Sequence, residues 1–140
     1  MKIIAVGKIR KKFLVEGINF YQKQISKLEI VETRQSTPEK EGKEILAKIN
    51  PRDYVIALDI KGDKYDSELF AKKIETLRSN SEEIVFVIGG STGLSDEVKE
   101  RANEFLSFSD FTFPHELFRL ILVEQIYRAE SIIQGKPYHK

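Results

Sequence analysis

The sequence predicts an α/β protein, a mostly parallel sheet of five to six strands with helices on both faces. Short β-branched runs alternate with longer stretches of helical periodicity, which is the pattern of βαβ units. At 140 residues the chain is long enough for one domain. With 41% hydrophobic and 32% charged residues it is apolar enough to bury a core. No internal repeat, low-complexity tract or Pro/Gly/Ser-rich linker divides it, so residues 1–140 read as a single domain.

The strands read as Lys2–Gly7, Leu28–Arg34, Tyr54–Asp59, Ile84–Gly89 and a shorter one over Phe105–Ser109. Between the first two, Lys11–Lys27 places Phe13, Leu14, Ile18, Tyr21 and Ile25 at helical spacing. Thr37–Ile49 begins with a Thr cap and a proline in the first turn, and both helices should cover the sheet. Asn50–Asp53 is a turn. Ser67 or Asp66 can cap Glu68–Arg78, and Ser95 can cap Asp96–Phe105, whose first turn holds two acids where the helix dipole favours them.

The last helix, Glu116–Ile133, opens after Pro114 and closes before Gly135. Phe118, Leu122, Ile126, Ala129 and Ile133 fill one side, while Leu117, Leu120, Ile121, Tyr127 and Ile132 spread over the other. A helix apolar on two sides needs two partners. A C-terminal helix in a βα series usually lies on an outer face, so a homodimer is expected to cover its second side.

The absence of cysteine removes thiol nucleophiles, thiolate metal sites and disulfides. Two histidines, His115 and His139, leave no imidazole cluster for zinc, so no metal is expected. The apolar run Ile3–Val6 falls short of the ~7 residues of a signal core, and no stretch could span a bilayer. A cytoplasmic location without a membrane partner follows. The net charge of +1 does not announce nucleic-acid binding, no DNA partner is expected, and any RNA surface must be local.

Ligands in an open parallel sheet sit beyond the carboxyl ends of the strands. The first such loop, Gly7–Lys11, lacks GxGxxG, the Walker pattern and the acidic pair of a receiver domain. Dinucleotide, P-loop and flavodoxin-like readings weaken accordingly. The fourth, IVFVIGGSTGLS, runs from a buried strand into Gly89, Gly90 and Gly93, which suits either a tight strand-to-helix turn or a close backbone approach to a ligand. In LSFSDFTFPHE, Phe108, Phe111 and Phe113 could wall a slot for a purine with Ser109 and Thr112 as polar anchors, or form an aromatic minicore under the last helix.

Glu124 and Arg128 are spaced i,i+4 within an apolar sector, so Arg128 is either a cation for an anion or an electron-rich base edge, or half of an ion pair at a dimer seam. Tyr138 and His139 belong to a tail that composition alone would leave solvated. Lys8, Arg10, Lys11 and Lys12 are a solvated helix start or a set of phosphate contacts.

Taken in order, VFVIGGSTGLS, LSFSDFTFPHELFRLILVEQIYRA and the terminal PYHK, with KIIAVGKIR and VIALDIKG before them, resemble the ribosomal RNA large subunit methyltransferase H family of the SPOUT superfamily. The resemblance covers nearly the whole chain, although Thr33–Gly42 looks shorter than in many relatives. It implies a homodimer whose C-terminal part is threaded as a trefoil knot, a feature that general topology rules oppose and that rests on the resemblance alone. It implies S-adenosylmethionine as methyl donor, and N3 of a pseudouridine in 23S rRNA, within the assembled ribosome, as acceptor.

Position by position, the cofactor residues implied are Leu58, Gly89, Phe108, Ser109, Asp110, Phe111, Thr112 and Phe113. Arg128, Tyr138 and His139 match residues that meet the RNA base, the tail of one subunit reaching the cofactor of the other. In that frame His139 accepts the imide proton, Arg128 stabilises the resulting anion and Tyr138 stacks on or hydrogen-bonds the extruded base. A rival reading from another class is a non-enzymatic α/β dimer that binds a nucleotide-like ligand or a ribosomal surface through the same loops.

Overall fold

The computed structural model describes residues 1–139. Strands β1 (Lys2–Val6), β2 (Glu29–Thr33), β3 (Tyr54–Lys64), β4 (Ile84–Ile88) and β5 (Glu104–Ser107) form one sheet in the order β2-β1-β4-β3-β5. Every pairing is parallel. The helices are α1 (Lys12–Gln22), α2 (Pro38–Ala47), α3 (Ser67–Ser79), α4 (Asp96–Arg101) and α5 (His115–Ile133).

Strand alternation sorts the side chains into two cores. Ile3, Ala5, Ile56, Leu58, Ile84, Phe86 and Ile88 face the layer of α1, α3 and α5, while Ile4, Val6, Val55, Val85 and Val87 face Ile45 of α2 and Val98 of α4. Right-handed crossovers explain the split, since β1→β2 and β3→β4 step one way along the sheet while β2→β3 and β4→β5 step the other. The caps are those the sequence allows. Thr37 Oγ1, Asp66 Oδ1 and Ser95 Oγ accept from Lys40 N, Leu69 N and Val98 N at 3.3, 2.8 and 3.3 Å.

Four elements depart from the sequence reading. Helix α1 stops at Gln22 rather than Lys27, and Lys27 turns the chain at φ 60°. Helix α4 stops at Arg101 rather than Phe105, because Asn103 is captured by β3. Its side chain accepts from Val55 N and its own N–H donates to Val55 O, both at 2.8 Å. Strand β3 continues past Asp59 to Lys64, with a register shift between Leu58 and Asp63 that bows the intervening residues out of the ladder. Gly62 makes the fold-back possible, since a Cβ there would lie 2.7 Å from Leu106 N.

The fourth departure concerns α5, which is not an outer helix. It packs between α1 and α3: Leu120 lies over Gly17, Tyr127 over Tyr21 with ring centroids 5.6 Å apart, and Gln125 accepts from Ser67 Oγ at 2.7 Å. Arg78 of α3 forms an ion pair with the buried Glu130. The gap that the strand order leaves between the two crossover helices is filled by the last helix to arrive. One apolar side is thereby largely buried within one subunit, while Leu117, Leu120, Ile121, Tyr127 and Ile132 on the other stay half-buried and Phe13, Phe20 and Leu69 stay exposed on α1 and α3.

Leu122 is fully buried in this seam. Leu122→Ala should lower unfolding free energy by about 2–5 kcal/mol, whereas the half-buried Ile121→Ala should cost distinctly less; urea denaturation of the two variants measures the difference.

Candidate functional site

The loops after β3, β4 and β5 converge on a cavity of about 410 Å³ at the carboxyl ends of the strands. Its walls come from Leu58 and Asp59 of the β3 bulge, from the glycine segment at the end of β4, and from the aromatic segment at the end of β5, with Phe118 of α5 closing one side. This volume is that of a small-molecule or cofactor site.

Each loop has a local reason for its shape. Gly90 and Gly93 form an isolated antiparallel bridge, with Gly93 N donating to Gly90 O at 3.0 Å, and Gly93 takes φ 86°, which strains any residue with a Cβ. The glycine segment is thus both a tight turn and a cavity wall. The aromatic segment likewise does two things. Phe108 stacks on Phe118 with centroids 5.0 Å apart and meets Phe70 edge-on at 6.5 Å, while Phe108, Phe111 and Phe113 all line the cavity. Phe111 is 79% exposed at its mouth. Ser109 shapes the turn, its hydroxyl accepting from Phe111 N at 3.0 Å and its carbonyl from Ser107 Oγ at 3.1 Å.

Leu58, Gly89, Phe108, Ser109, Phe111, Thr112 and Phe113 all line the cavity; Asp110 does not. Asp110 is exposed and forms an ion pair with Lys64 at the end of the β3 extension.

Arg128, Tyr138 and His139 are brought together, but elsewhere. From Phe118 at the cavity to Arg128 is ten residues along α5, about 15 Å of helix. The guanidinium of Arg128 donates to Glu124 Oε2 at 2.7 Å, lies 4.8 Å from the centre of the Tyr138 ring, and is 3.1 Å from His139 Nδ1. Tyr138 donates its hydroxyl proton to Glu124 Oε2 at 2.8 Å and packs edge-on against Tyr127. The tail is therefore fastened to α5 through Glu124.

Electrostatics follow from that carboxylate. Its hydrogen bond raises the pKa of Arg128, outweighing desolvation. Burial, then the neighbouring Tyr21 and Glu124, push the Tyr138 phenol well above its ordinary value. Because a guanidinium only donates, the 3.1 Å contact assigns His139 the tautomer with a proton on Nε2 and its lone pair on Nδ1 directed at Arg128. The nitrogen that could accept a proton is held by the cation that could stabilise an anion.

Several residues around the site escape the sequence reading. Asp59, Ser107, Lys99 and His115 line the cavity. Glu41 is buried behind the glycine turn, accepting from Ser36 N at 2.8 Å through one oxygen and leaving the other unpaired; a Cβ on Gly90 would lie 3.2 Å from both. Arg119 is buried on α5, paired with Glu32 of β2 and donating to Gly7 O at 3.0 Å. Its signal was available, because Arg119 precedes Leu122, Val123 and Ile126 by three, four and seven residues and so shares their buried stripe. Among the described residues no group of three or more His, Asp or Glu is placed to hold a metal ion, and no helix is long and apolar enough to cross a membrane.

Comparison with known proteins places this geometry in a family. The family model for predicted SPOUT methyltransferases matches residues 1–139. Ribosomal RNA large subunit methyltransferase H of Streptococcus thermophilus is 52% identical over 158 aligned positions, covering 100% of this chain and 99% of its own. The proteins of that name from Parasynechococcus marenigrum and Enterococcus faecalis are 48% and 45% identical, covering 99% and 100% of this chain and 95% and 99% of their own. Two of these alignments, over 158 and 157 positions, are longer than the 140 residues present here, so those relatives carry residues this chain lacks. With its cavity built from the strand-end loops of a parallel sheet, the chain belongs to the SPOUT methyltransferase family, among the ribosomal RNA large subunit methyltransferase H proteins.

Proposed function

We propose that this protein is an S-adenosylmethionine-dependent methyltransferase that modifies N3 of a pseudouridine in 23S rRNA, acting as a homodimer on the assembled ribosome in the cytoplasm. The observation that carries the reading is the division of its expected residues into two clusters, one at the strand ends beside the start of α5 and one where the tail meets its later turns. The cofactor residues other than Asp110 surround one cavity, while Arg128, about 15 Å along α5 from Phe118, gathers Tyr138 and His139 of the tail around it. Neither cluster completes a reaction alone. A second copy that brings its tail to this cavity unites them, and the exposed Phe13, Phe20 and Leu69 supply apolar surface for such an interface. The trefoil knot implied by the resemblance belongs to the same proposal, supported by the return of α5 from the edge strand β5 to the gap between α1 and α3.

The residues fit the cofactor. Leu58, Leu94, Leu106 and Phe108 offer an apolar slot for a purine, and Ser107, Ser109 and the glycine-turn backbone offer short polar contacts to its ribose and amino-acid portions. When bound, S-adenosylmethionine supplies an electrophilic methyl group. What the protein contributes is alignment of the acceptor nitrogen and a destination for its proton. An incoming imide oxygen competes for the Arg128 guanidinium and draws it from His139, which frees Nδ1 to take the N3 proton as negative charge develops against Arg128. Tyr138, held protonated by its surroundings, offers the base a ring face.

Arg128→Ala and His139→Ala should each reduce methylation of ribosomes by ~10²-fold or more while leaving calorimetric affinity for S-adenosylmethionine intact. Mass spectrometry of 23S rRNA from cells lacking the gene should show one pseudouridine without its methyl group; a full complement there, with no cofactor binding, would overturn the activity. Mixing inactive Gly89→Val and His139→Ala chains tests the shared site. Half of the re-formed dimers then carry one intact composite site, so about a quarter of the parent rate should return, and none returns if each tail serves its own cavity.

Glu124→Gln should bring the Tyr138 phenol down toward its ordinary 10.0, seen as the phenolate absorbance difference between matched Tyr138 and Tyr138→Phe proteins. Because the folded phenol holds its proton more tightly than the unfolded one, its contribution to stability is complete below that ordinary value. It is lost as pH rises from there toward the folded ionisation, and Glu124→Gln should narrow the window.

A further inference from the structure

A second cavity, of about 520 Å³, opens at the carboxyl ends of β1 and β2 and is lined by Gly7, Lys8, Arg10, Thr33, Arg34 and His115, among others. His115 also lines the cofactor cavity, so the two are neighbours across the first residue of α5. Lys8, Arg10 and Arg34 are exposed, and among the described residues none of them forms an ion pair. The two acids of the cavity are engaged: Glu32 pairs with Arg119, and Glu116 accepts from Arg10 N at 3.2 Å.

Two further features of this cleft lack a hydrogen-bond partner. Thr33 is 5% exposed, and its hydroxyl has no hydrogen-bond partner. Helix α5, 19 residues long, begins at this rim with Pro114 at the cap position and no side chain capping its free amides. An unpaired buried hydroxyl is costly unless something supplies the missing bond. A space of this size takes a nucleotide more naturally than a lone ion.

We infer that this cleft, with Lys8, Arg10, Arg34 and the Thr33 hydroxyl, is a subsite for a backbone phosphate of the RNA strand flanking the modified base. The inference rests on the rRNA methyltransferase reading for the identity of the strand. Phosphate oxygens accept from three unpartnered cations, from the threonine hydroxyl and from the helix amides together, and His115 sets the flanking nucleotide beside the cofactor cavity. This locates a local RNA surface on a chain whose net charge is only +1.

The test is co-sedimentation of the full chain with ribosomes across a salt series without cofactor, so that its readout does not depend on turnover. The triple variant Lys8→Gln, Arg10→Gln, Arg34→Gln should bind about tenfold or more weakly at low salt, with the slope of log affinity against log salt shallower by about one to two. Thr33→Val removes an unpaired hydroxyl at nearly constant shape. It should leave the melting temperature equal or higher yet weaken ribosome binding about threefold, an outcome that a misfolded variant cannot imitate. Parent affinity and slope in the triple variant overturn the subsite, as does a loss that is equal at every salt concentration, which marks a protein contact. If the parent protein transfers no methyl group to 23S rRNA while these differences persist, the methyltransferase reading falls and the phosphate site stands. If the parent methylates and the variants bind as tightly, only the subsite falls.

Discussion

Arg119 reaches from the first turns of α5 into the carboxyl ends of β1 and β2, where its guanidinium is almost wholly out of water, bonded to the Gly7 carbonyl and to Glu32. A desolvated cation is tolerated only where its partners are fixed, so this contact admits one placement of the helix along the sheet. Fixing that end fixes what α5 carries. Phe118, its neighbour in sequence, becomes a wall of the strand-end cavity, and Phe108 stacks on it to hold the loop after β5. Further down, Glu124 and Arg128 emerge between α1 and α3 and fasten the tail. A change at Arg119 would therefore be felt at both clusters, although its side chain lines neither.

The glycine and phenylalanine segments show why two readings of one motif need not exclude each other. A turn that requires Gly93 at positive φ leaves its rim without side chains, and a rim without side chains is where a ligand can approach backbone amides. An aromatic minicore that must be covered by α5 leaves ring edges at the mouth of the loop, and those edges are apolar cavity wall. Structural need and binding capacity arise from the same atoms.

The alternation of elements, the capping residues and the glycine and phenylalanine loops are legible in the sequence because each depends on residues close together in the chain, whereas Leu58 enters only through the resemblance. What escaped depends on distant partners. The extension of β3 is written in the approach of Gly62 to Leu106, more than forty residues away. The early end of α4 is written in the capture of Asn103 by Val55. Asp110 sits within the right segment, yet the β3 extension places Lys64 to draw it outward. The central position of α5 follows from strand order, which no local pattern encodes. Arg119 is the exception, since its place on a buried stripe was readable from spacing.

That central position changes the case for a second subunit. A helix apolar on two sides demands a partner less strongly once α1 and α3 cover it in part, with Leu117, Leu120 and Ile121 still half-buried, so hydrophobic burial of α5 favours a dimer without requiring one. The requirement shifts to chemistry. A rigid helix keeps Arg128 and the tail bound to it at a fixed distance from the cavity that Phe118 walls, and Glu124 holds the tail on its own helix through Tyr138. No side-chain rotation spans the ten helical residues from Phe118 to Arg128, about 15 Å, so within one chain the tail cluster and the cavity stay apart. Either the tail detaches, giving up its bonds to Glu124, or a symmetry-related copy presents the same cluster from outside. The second route keeps the bond of the tail to Glu124, which makes the fastening of the tail the strongest structural argument for a site built across two chains.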